Sequence, residues 1–258
     1  ATKLGEKKQI AFVLYDIGNI YLNLGDYPSA IRNYEEGLVL STNAGLQEQE
    51  AYGLHELGNV FANQGNYDKA LSYYEEALAL GEKLGYKNLI ISILFNLGNT
   101  LLYQGKYEEA LAHYDQSLSL CQEMKLREGV GDNYVKIGNV YAKLGNYEEA
   151  LSYYEQSLDI RKEFGDKAGL AECLHDIAEV HKNQGNDTEA LLRYEESLKI
   201  CEEIGFKMGI SYNINQIGHL HLKQGSYPLA LEYYKKCYRL DMQLNHQKEI
   251  ARLLSNQG

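Results

Sequence analysis

Apolar positions in this chain fall at helical spacing, and the spacing repeats. Between Lys87 and Gln104, Leu94, Leu97, Gly98 and Leu101 lie three, one and three positions apart, on one stripe of a predicted helix. A second pattern follows a glycine: Ala70, Leu71, Tyr74, Ala77 and Leu78 sit at offsets of 0, 1, 4, 7 and 8, again one apolar face. The two patterns alternate with a period of forty residues. Gly25, Gly65, Gly105, Gly145, Gly185 and Gly225 form one column, Ala30, Ala70, Ala110, Ala150, Ala190 and Ala230 a second, and Tyr34, Tyr74, Tyr114, Tyr154, Tyr194 and Tyr234 a third. Six copies in three columns predict helix pairs at about 7–45, 47–85, 87–125, 127–165, 167–205 and 207–245, with a partial seventh at 247–258, forming a single solenoid domain over 1–258. The ends align with interior positions: Gly258 falls in the column of Gly98, so the chain reads as a segment of a longer array.

Local signals mark the helix ends. The first glycine column suits the left-handed backbone that closes a helix. Asp26, Asn66, Asn146, Asn186 and Ser226 precede the second helices as expected N-caps, with Lys106 the exception, and Asn146 with Glu149 and Asn186 with Glu189 resemble capping boxes. Pro28 and Pro228 fall in the first turn, where a missing N–H costs little. Gly45, Gly85, Gly165 and Gly205 are expected to stop the second helix, with Asn245 in the same role and Lys125 departing from it. A third glycine column, Gly18, Gly58, Gly98, Gly138 and Gly218, lies inside the first helix, where glycine costs roughly 1 kcal/mol relative to alanine. The expected offset is a close approach of the paired helix through its alanine column.

The order Leu54-x-x-Leu57-Gly58-x-x-Phe61, then Gly65, Tyr67, Ala70 and Tyr74, resembles the tetratricopeptide repeat over essentially the whole chain. The family's usual Trp is replaced by Leu14, Leu54, Leu94, Tyr134, Leu174 or Ile214, its terminal Pro is missing, and the unit is forty residues long. In these respects the chain is similar to the longer-helix subgroup with Leu-Gly-Asn in the first helix, found in spindle-orientation adaptors, kinesin light chains and bacterial pheromone receptors. The resemblance implies an all-α, right-handed superhelical solenoid of antiparallel helix pairs whose first helices line a concave groove.

Composition narrows the partners. Lys and Arg number 25 against 36 Asp and Glu, a formal net charge of -11, which argues against a nucleic-acid surface built on a basic stripe. Cys121, Cys173, Cys201 and Cys237 are far apart, as expected for reduced thiols in a cytoplasmic protein. The longest apolar stretch, Leu89 to Phe95, is too short to span a membrane. No Ser-His-Asp set, phosphate-binding loop or His-Glu-x-x-His motif points to catalysis, and the paired carboxylates Glu75-Glu76, Glu108-Glu109 and Glu195-Glu196 read as a solvated face. No cofactor and no metal are expected.

Candidate binding residues come from the implied groove. Asn is a poor helix former, yet Asn19, Asn59, Asn99 and Asn139 recur after the mid-helix glycine. Their amides suit the backbone of an extended peptide, and they equally suit bonds between neighbouring repeats. One turn earlier stand Tyr15, His55, Phe95 and His175, and one turn later Tyr103 and Lys143. Lys143, Lys182 and Lys223 are expected to favour acidic groups in the C-terminal half. The fifth repeat departs from the pattern: Ala178-Glu179 replaces Gly-Asn, and Asp187 replaces the Tyr of the other units. His175, Glu179 and His219 form a candidate specificity pocket, against the alternatives of simple drift of the repeat and, weaker, a metal site on those three. His181 and His221 read as packed histidines. The expected function is a protein–protein interaction scaffold holding a partner peptide in the groove. The alternative is an effector-sensing domain of a larger signalling protein. Exposed tyrosines and uncapped terminal repeats allow self-association.

Overall fold

The forty-residue unit takes its form from its helix stops: in the first, second, fourth and fifth units a left-handed glycine follows each of the two helices. The computed structural model describes residues 3–255, with side chains through Gln243. Twelve helices follow one another, and no strand occurs among the described residues: α1 (Lys3–Asn23), α2 (Tyr27–Ala44), α3 (Gln47–Asn63), α4 (Tyr67–Leu84), α5 (Lys87–Tyr103), α6 (Tyr107–Glu123), α7 (Arg127–Leu144), α8 (Tyr147–Phe164), α9 (Lys167–Asn183), α10 (Asp187–Ile204), α11 (Lys207–Lys223) and α12 (Tyr227–Ser255). Gly65 shows how the first helix closes. With φ +74° it sits in the left-handed region, its N–H donates to the Ala62 carbonyl at 2.9 Å, and the next N–H, of Asn66, reaches back to the Phe61 carbonyl at 2.9 Å. Lys125 closes α6 in the same way at φ 58°, without the conformational freedom of glycine.

The N-terminal ends differ from expectation. Ahead of the second helices, Asp26 caps with its side chain, accepting from the Ser29 N–H at 3.2 Å. Asn66, Asn146 and Asn186 make no such bond, so the expected capping boxes do not form. Lys106 adopts φ -88° and ψ 72°, close to the -86° and 70° of Asn66, so the turn conformation does not depend on the side chain there. Asp166, ahead of a first helix, does cap, accepting from the Gly169 N–H at 3.0 Å. Asn245 is not a stop: α12 runs unbroken from Tyr227 to Ser255. The partial seventh unit expected at 247–258 falls on residues whose side chains lie outside the described set.

The chain divides into two compact units, residues 1–136 and 137–258, with α7 spanning the division. In the first unit, α1–α2, α3–α4 and α5–α6 pair as hairpins, α2 packs on α3, and α4 packs on α5. There α1 also touches α3, and α3 touches α5, whereas no second helix touches another among the described residues. The first helices therefore line the inner side of this unit. In the second unit α8 packs on α9, α9 on α10, α10 on α11 and α11 on α12, with α9 also touching α11.

The alanine column is buried throughout, and Tyr34, Tyr74, Tyr114, Tyr154 and Tyr194 are all buried. The mid-helix glycines serve the tyrosines, not the alanines as expected. A Cβ on Gly18, Gly58, Gly98 or Gly138 would lie 2.5, 2.5, 2.6 or 2.7 Å from Cε1 of Tyr34, Tyr74, Tyr114 or Tyr154. One side of each ring, at Cε1 and Cδ1, occupies the space that a Cβ would take. Burying such a side chain is worth on the order of 1.5–3 kcal/mol, more than the roughly 1 kcal/mol that the glycine costs.

Candidate functional site

The Asn column meets the Tyr column within each repeat. The hydroxyls of Tyr34, Tyr74, Tyr114 and Tyr154 donate to Oδ1 of Asn19, Asn59, Asn99 and Asn139 at 2.6, 2.7, 2.8 and 2.6 Å. In the fifth repeat Tyr194 donates to Glu179 instead. In the sixth, the Tyr234 hydroxyl lies 3.2 Å from His219 Nδ1. Burial pushes the phenols of Tyr34, Tyr74, Tyr114, Tyr154 and Tyr194 well above their ordinary pKa, so they remain donors. Each Asn thus spends its carbonyl on a bond inside its own repeat, a role that the sequence did not disclose. Its amide N–H2 is what remains. Asn19 Nδ2 donates to the Tyr52 hydroxyl at 3.4 Å and Asn59 Nδ2 to Glu56 at 3.2 Å.

Inside the first unit, α3, α5 and α7 enclose a pocket of about 320 Å³ lined by His55, Ile91, Ser92, Phe95, Asn96, Gly129, Asp132 and Asn133. One wall is a polar network. Asn96 Nδ2 donates to Asn59 Oδ1 at 2.9 Å and to His55 Nε2 at 3.0 Å. Because this NH2 can only donate, His55 Nε2 is the acceptor and its proton sits on Nδ1. Nδ1 faces Glu56 Oε1 at 3.2 Å without hydrogen-bond alignment. Phe95 forms the apolar wall, edge-on to Tyr114 at 5.8 Å, with Lys136 Nζ 6.0 Å from its ring centre. A separate depression of about 490 Å³, lined by Glu6, Gln9, Ile10, Val13 and Leu14, belongs to the exposed face of α1 alone.

In the second unit, His175, Glu179, Lys182 and Tyr194 join through α9, α10 and α11. His175 Nδ1 donates to Asn213 Oδ1 at 2.9 Å, and Lys182 Nζ donates to Glu179 at 2.6 and 2.7 Å and to Gln216 Oε1 at 3.1 Å. Burial alone would raise the Glu179 carboxyl, but the bonds from Lys182 and Tyr194 outweigh it and hold it below the ordinary range. His219 is exposed, and among the described residues no group of three His, Cys, Asp or Glu, these three included, could hold a metal ion.

Other candidates fall elsewhere than expected. Tyr15 is fully buried, with its hydroxyl 3.1 Å from Ser41 Oγ and its pKa pushed up to about 12 by burial, so it belongs to the core. Gly37 and Gly53 clear the space for it: a Cβ on either would lie 2.5 Å from the ring or its hydroxyl. Tyr103 is 74% exposed, yet its ring stacks on Tyr67 of the preceding repeat at 6.0 Å. Lys223 and Asp187 hold the corresponding positions between the fifth and sixth repeats as an ion pair at 2.8 Å. The Asp that breaks the Tyr pattern is therefore matched by a Lys across the repeat junction. With Lys182 and Lys223 engaged in this way, the expected preference for acidic groups keeps only the exposed Lys143. Phe95 and His175 are half-buried, and His55 is nearly covered.

Tyr52, Glu56, Asn96, Asp132 and Gln216 were missed by the column reading. A step of four residues advances about 40° around a helix, so two such steps drift about 80°. Starting from Asn19 and Asn59 and stepping back by three, then by four, follows one stripe, which passes through Asp16 and Phe12, and through Glu56 and Tyr52.

Sequence profiles of the tetratricopeptide repeat match residues 11–44, 49–123, 130–203 and 213–243. A search of curated proteins gives no match by sequence. Among solved structures, BtubC (BKLC) from P. vanneervenii is similar at TM-score 0.66 and 18% identity, over 95% of this chain and 93% of that one. A Rap protein complexed with competence and sporulation factor is similar at TM-score 0.69 and 15% identity, over 92% and 76%. A signal transduction ATPase with numerous domains and a tetratricopeptide repeat sensor, from Pyrococcus horikoshii, is similar at TM-score 0.72 and 18% identity, over 93% and 40%. At such identities the likeness is one of fold.

Proposed function

Because this chain belongs to the tetratricopeptide-repeat family, we propose that it is a protein–protein interaction scaffold that holds an extended segment of a partner against its first helices. The observation that carries this reading is the pocket of the first unit, where three successive first helices supply side-chain amides, an aromatic wall and a carboxylate. Elsewhere along the first helices, Asn99 and Asn139, whose carbonyls are committed to tyrosine, offer their N–H groups to a peptide backbone, which is how an extended chain satisfies its own polar groups. The fold likeness to a Rap conjugation gene regulator in complex with the Phr* peptide supports a peptide ligand. Binding, not catalysis, is the reading, with no cofactor, no metal and a cytoplasmic setting. A second reading, the sensor domain of a larger signalling protein, is favoured by the fold likeness to the repeat sensor of the signal transduction ATPase.

The test is fluorescence anisotropy with pools of labelled extended nonapeptides against wild type and the double variant Asn99→Asp, Asn139→Asp. Aspartate keeps an acceptor for Tyr114 and Tyr154 and removes the amide donor. Binding weakened about tenfold, with an unchanged melting temperature, is expected from the loss of two such donors. Equal affinity at equal stability would mean that the amide column serves only the tyrosines.

A further inference from the structure

Apart from His55 Nδ1, which faces Glu56, the hydrogen-bonding groups left over in the pocket between α3, α5 and α7 are acceptors. Asn96 spends its NH2 on Asn59 and His55, which leaves its Oδ1 as an acceptor. Asn133 is 1% exposed; its NH2 donates to the Gly129 carbonyl at 2.8 Å, while its Oδ1 is buried without a partner. Unpartnered buried acceptors of this kind ask for a donor. The Ser92 hydroxyl lies 3.3 Å from the Asn88 carbonyl and donates to it, so its lone pairs remain. Asp132 places a carboxylate at the exposed rim. The opposite wall is the Phe95 ring, which Lys136 already approaches as a cation. Acceptors on one side and an aromatic face on the other are the environment of a donor-rich cation.

We propose that this pocket receives the long basic side chain, arginine or lysine, of a partner segment. The proposal rests on the peptide-binding reading above and adds the class of residue that is read. The pocket is large enough for one extended side chain, and the net charge of -11 draws a basic segment toward the protein.

The test uses four nonapeptide pools with a fixed central Arg, Lys, Glu or Leu in flanks randomised among Ala, Ser, Thr and Gln, measured by fluorescence anisotropy against the full chain. The Arg and Lys pools are expected to bind about tenfold tighter than the Glu and Leu pools. Asp132→Asn is expected to remove most of that preference, and Glu148→Gln, an exposed carboxylate on α8, to leave it intact. Phe95→Leu, which keeps an apolar wall without the ring face, is expected to weaken the Arg pool more than the Leu pool. Equal binding of the Arg and Leu pools, a preference for Glu, or a preference that survives both Asp132→Asn and Phe95→Leu would overturn the assignment while leaving peptide binding in place. Absence of binding by every pool would overturn both.

Discussion

The first four repeats and the fifth solve the same problem with different groups. In the first four, a tyrosine ring lies on a glycine and its hydroxyl is taken by an asparagine carbonyl. In the fifth, Ala178 fills the glycine position, and the carboxylate of Glu179, one methylene longer, takes the Tyr194 hydroxyl while Lys182 balances its charge. Tyr194 and Ala178 are nonetheless fully buried. What the repeats share is an acceptor for a buried phenol. The amide and the bare backbone are one way of supplying that acceptor, and the ion pair is another. The recurring Asn is thus first a structural residue, and its ligand chemistry is confined to the half of the amide that faces away from the tyrosine.

The largest expected break in this comparison is loss of the ring itself. Tyr114→Ala removes a fully buried side chain and is expected to cost about 3–5 kcal/mol in urea denaturation followed by circular dichroism. A cost under about 1 kcal/mol would show that neighbouring repeats collapse into the space. Exchanging the small residues comes next. Gly98→Ala gains about 1 kcal/mol of helix propensity, but its Cβ would meet Tyr114 Cε1 at 2.6 Å, and overpacking of this kind costs about 1–3 kcal/mol. A net loss of about 1 kcal/mol is expected, and Ala178→Gly, where a methyl is already seated, is also expected to lose about 1 kcal/mol. If Gly98→Ala stabilises the chain, the ring does not require the glycine.

A difference of comparable size separates two replacements of the asparagine. Asn99→Leu leaves the Tyr114 hydroxyl without its acceptor and is expected to cost about 1–3 kcal/mol. Asn99→Asp keeps an acceptor, as Glu179 does in the fifth repeat, and is expected to stay within about 0.5 kcal/mol of wild type at neutral pH. Equal costs for both, by the same denaturation measurement, would contradict the acceptor role.

The all-α hairpin repeat was legible because columns of Gly, Ala and Tyr at one period admit few other arrangements, and the glycine stops act through backbone conformation, which is a local property. The partners of those columns were not legible. That a glycine faces a tyrosine ring sixteen residues later, and not the alanine nearby, depends on how two helices cross. Tyr15 looked like a groove residue because its column holds His55 and Phe95; the small Gly37 and Gly53 that sink it into the core lie on other helices. The Asp187 exception had a visible signal, Lys223 in the register that Tyr103 holds relative to Tyr67, though it is recognisable only once the junction is known. The pocket stripe through Glu56 and Asn96 was recoverable from helical phase alone.

The smallest expected effect concerns pH. The Glu179 carboxyl is held below its ordinary value by Lys182 and Tyr194, with a further contribution from His175, against a burial effect of opposite sign. A carboxyl with a lowered folded-state pKa contributes stability that is present above its unfolded value, about 4.3, and is lost as pH falls through the folded value. The ion pair is only partly shielded, with Glu179 32% and Lys182 23% exposed, so solvent screening keeps the effect small. Other carboxylates titrate in the same range, Asp166 among them, also held low against burial by its bonds to Gly169 and Arg161. The informative quantity is therefore a difference. Glu179→Gln keeps an acceptor for Tyr194 and removes the charge that Lys182 meets. Denaturation midpoints of wild type and Glu179→Gln should lie furthest apart near pH 6 and converge as pH falls below 4, with wild type the more stable at the higher pH. Hydrogen exchange should place the acid-induced loosening in α9 and α10, not in α3 and α4, where the Tyr74 hydroxyl is held by an amide that does not titrate. A constant separation of the two midpoints across this range would show that the fifth repeat draws no stability from the charge, and that its carboxylate stands in for the asparagine carbonyl alone.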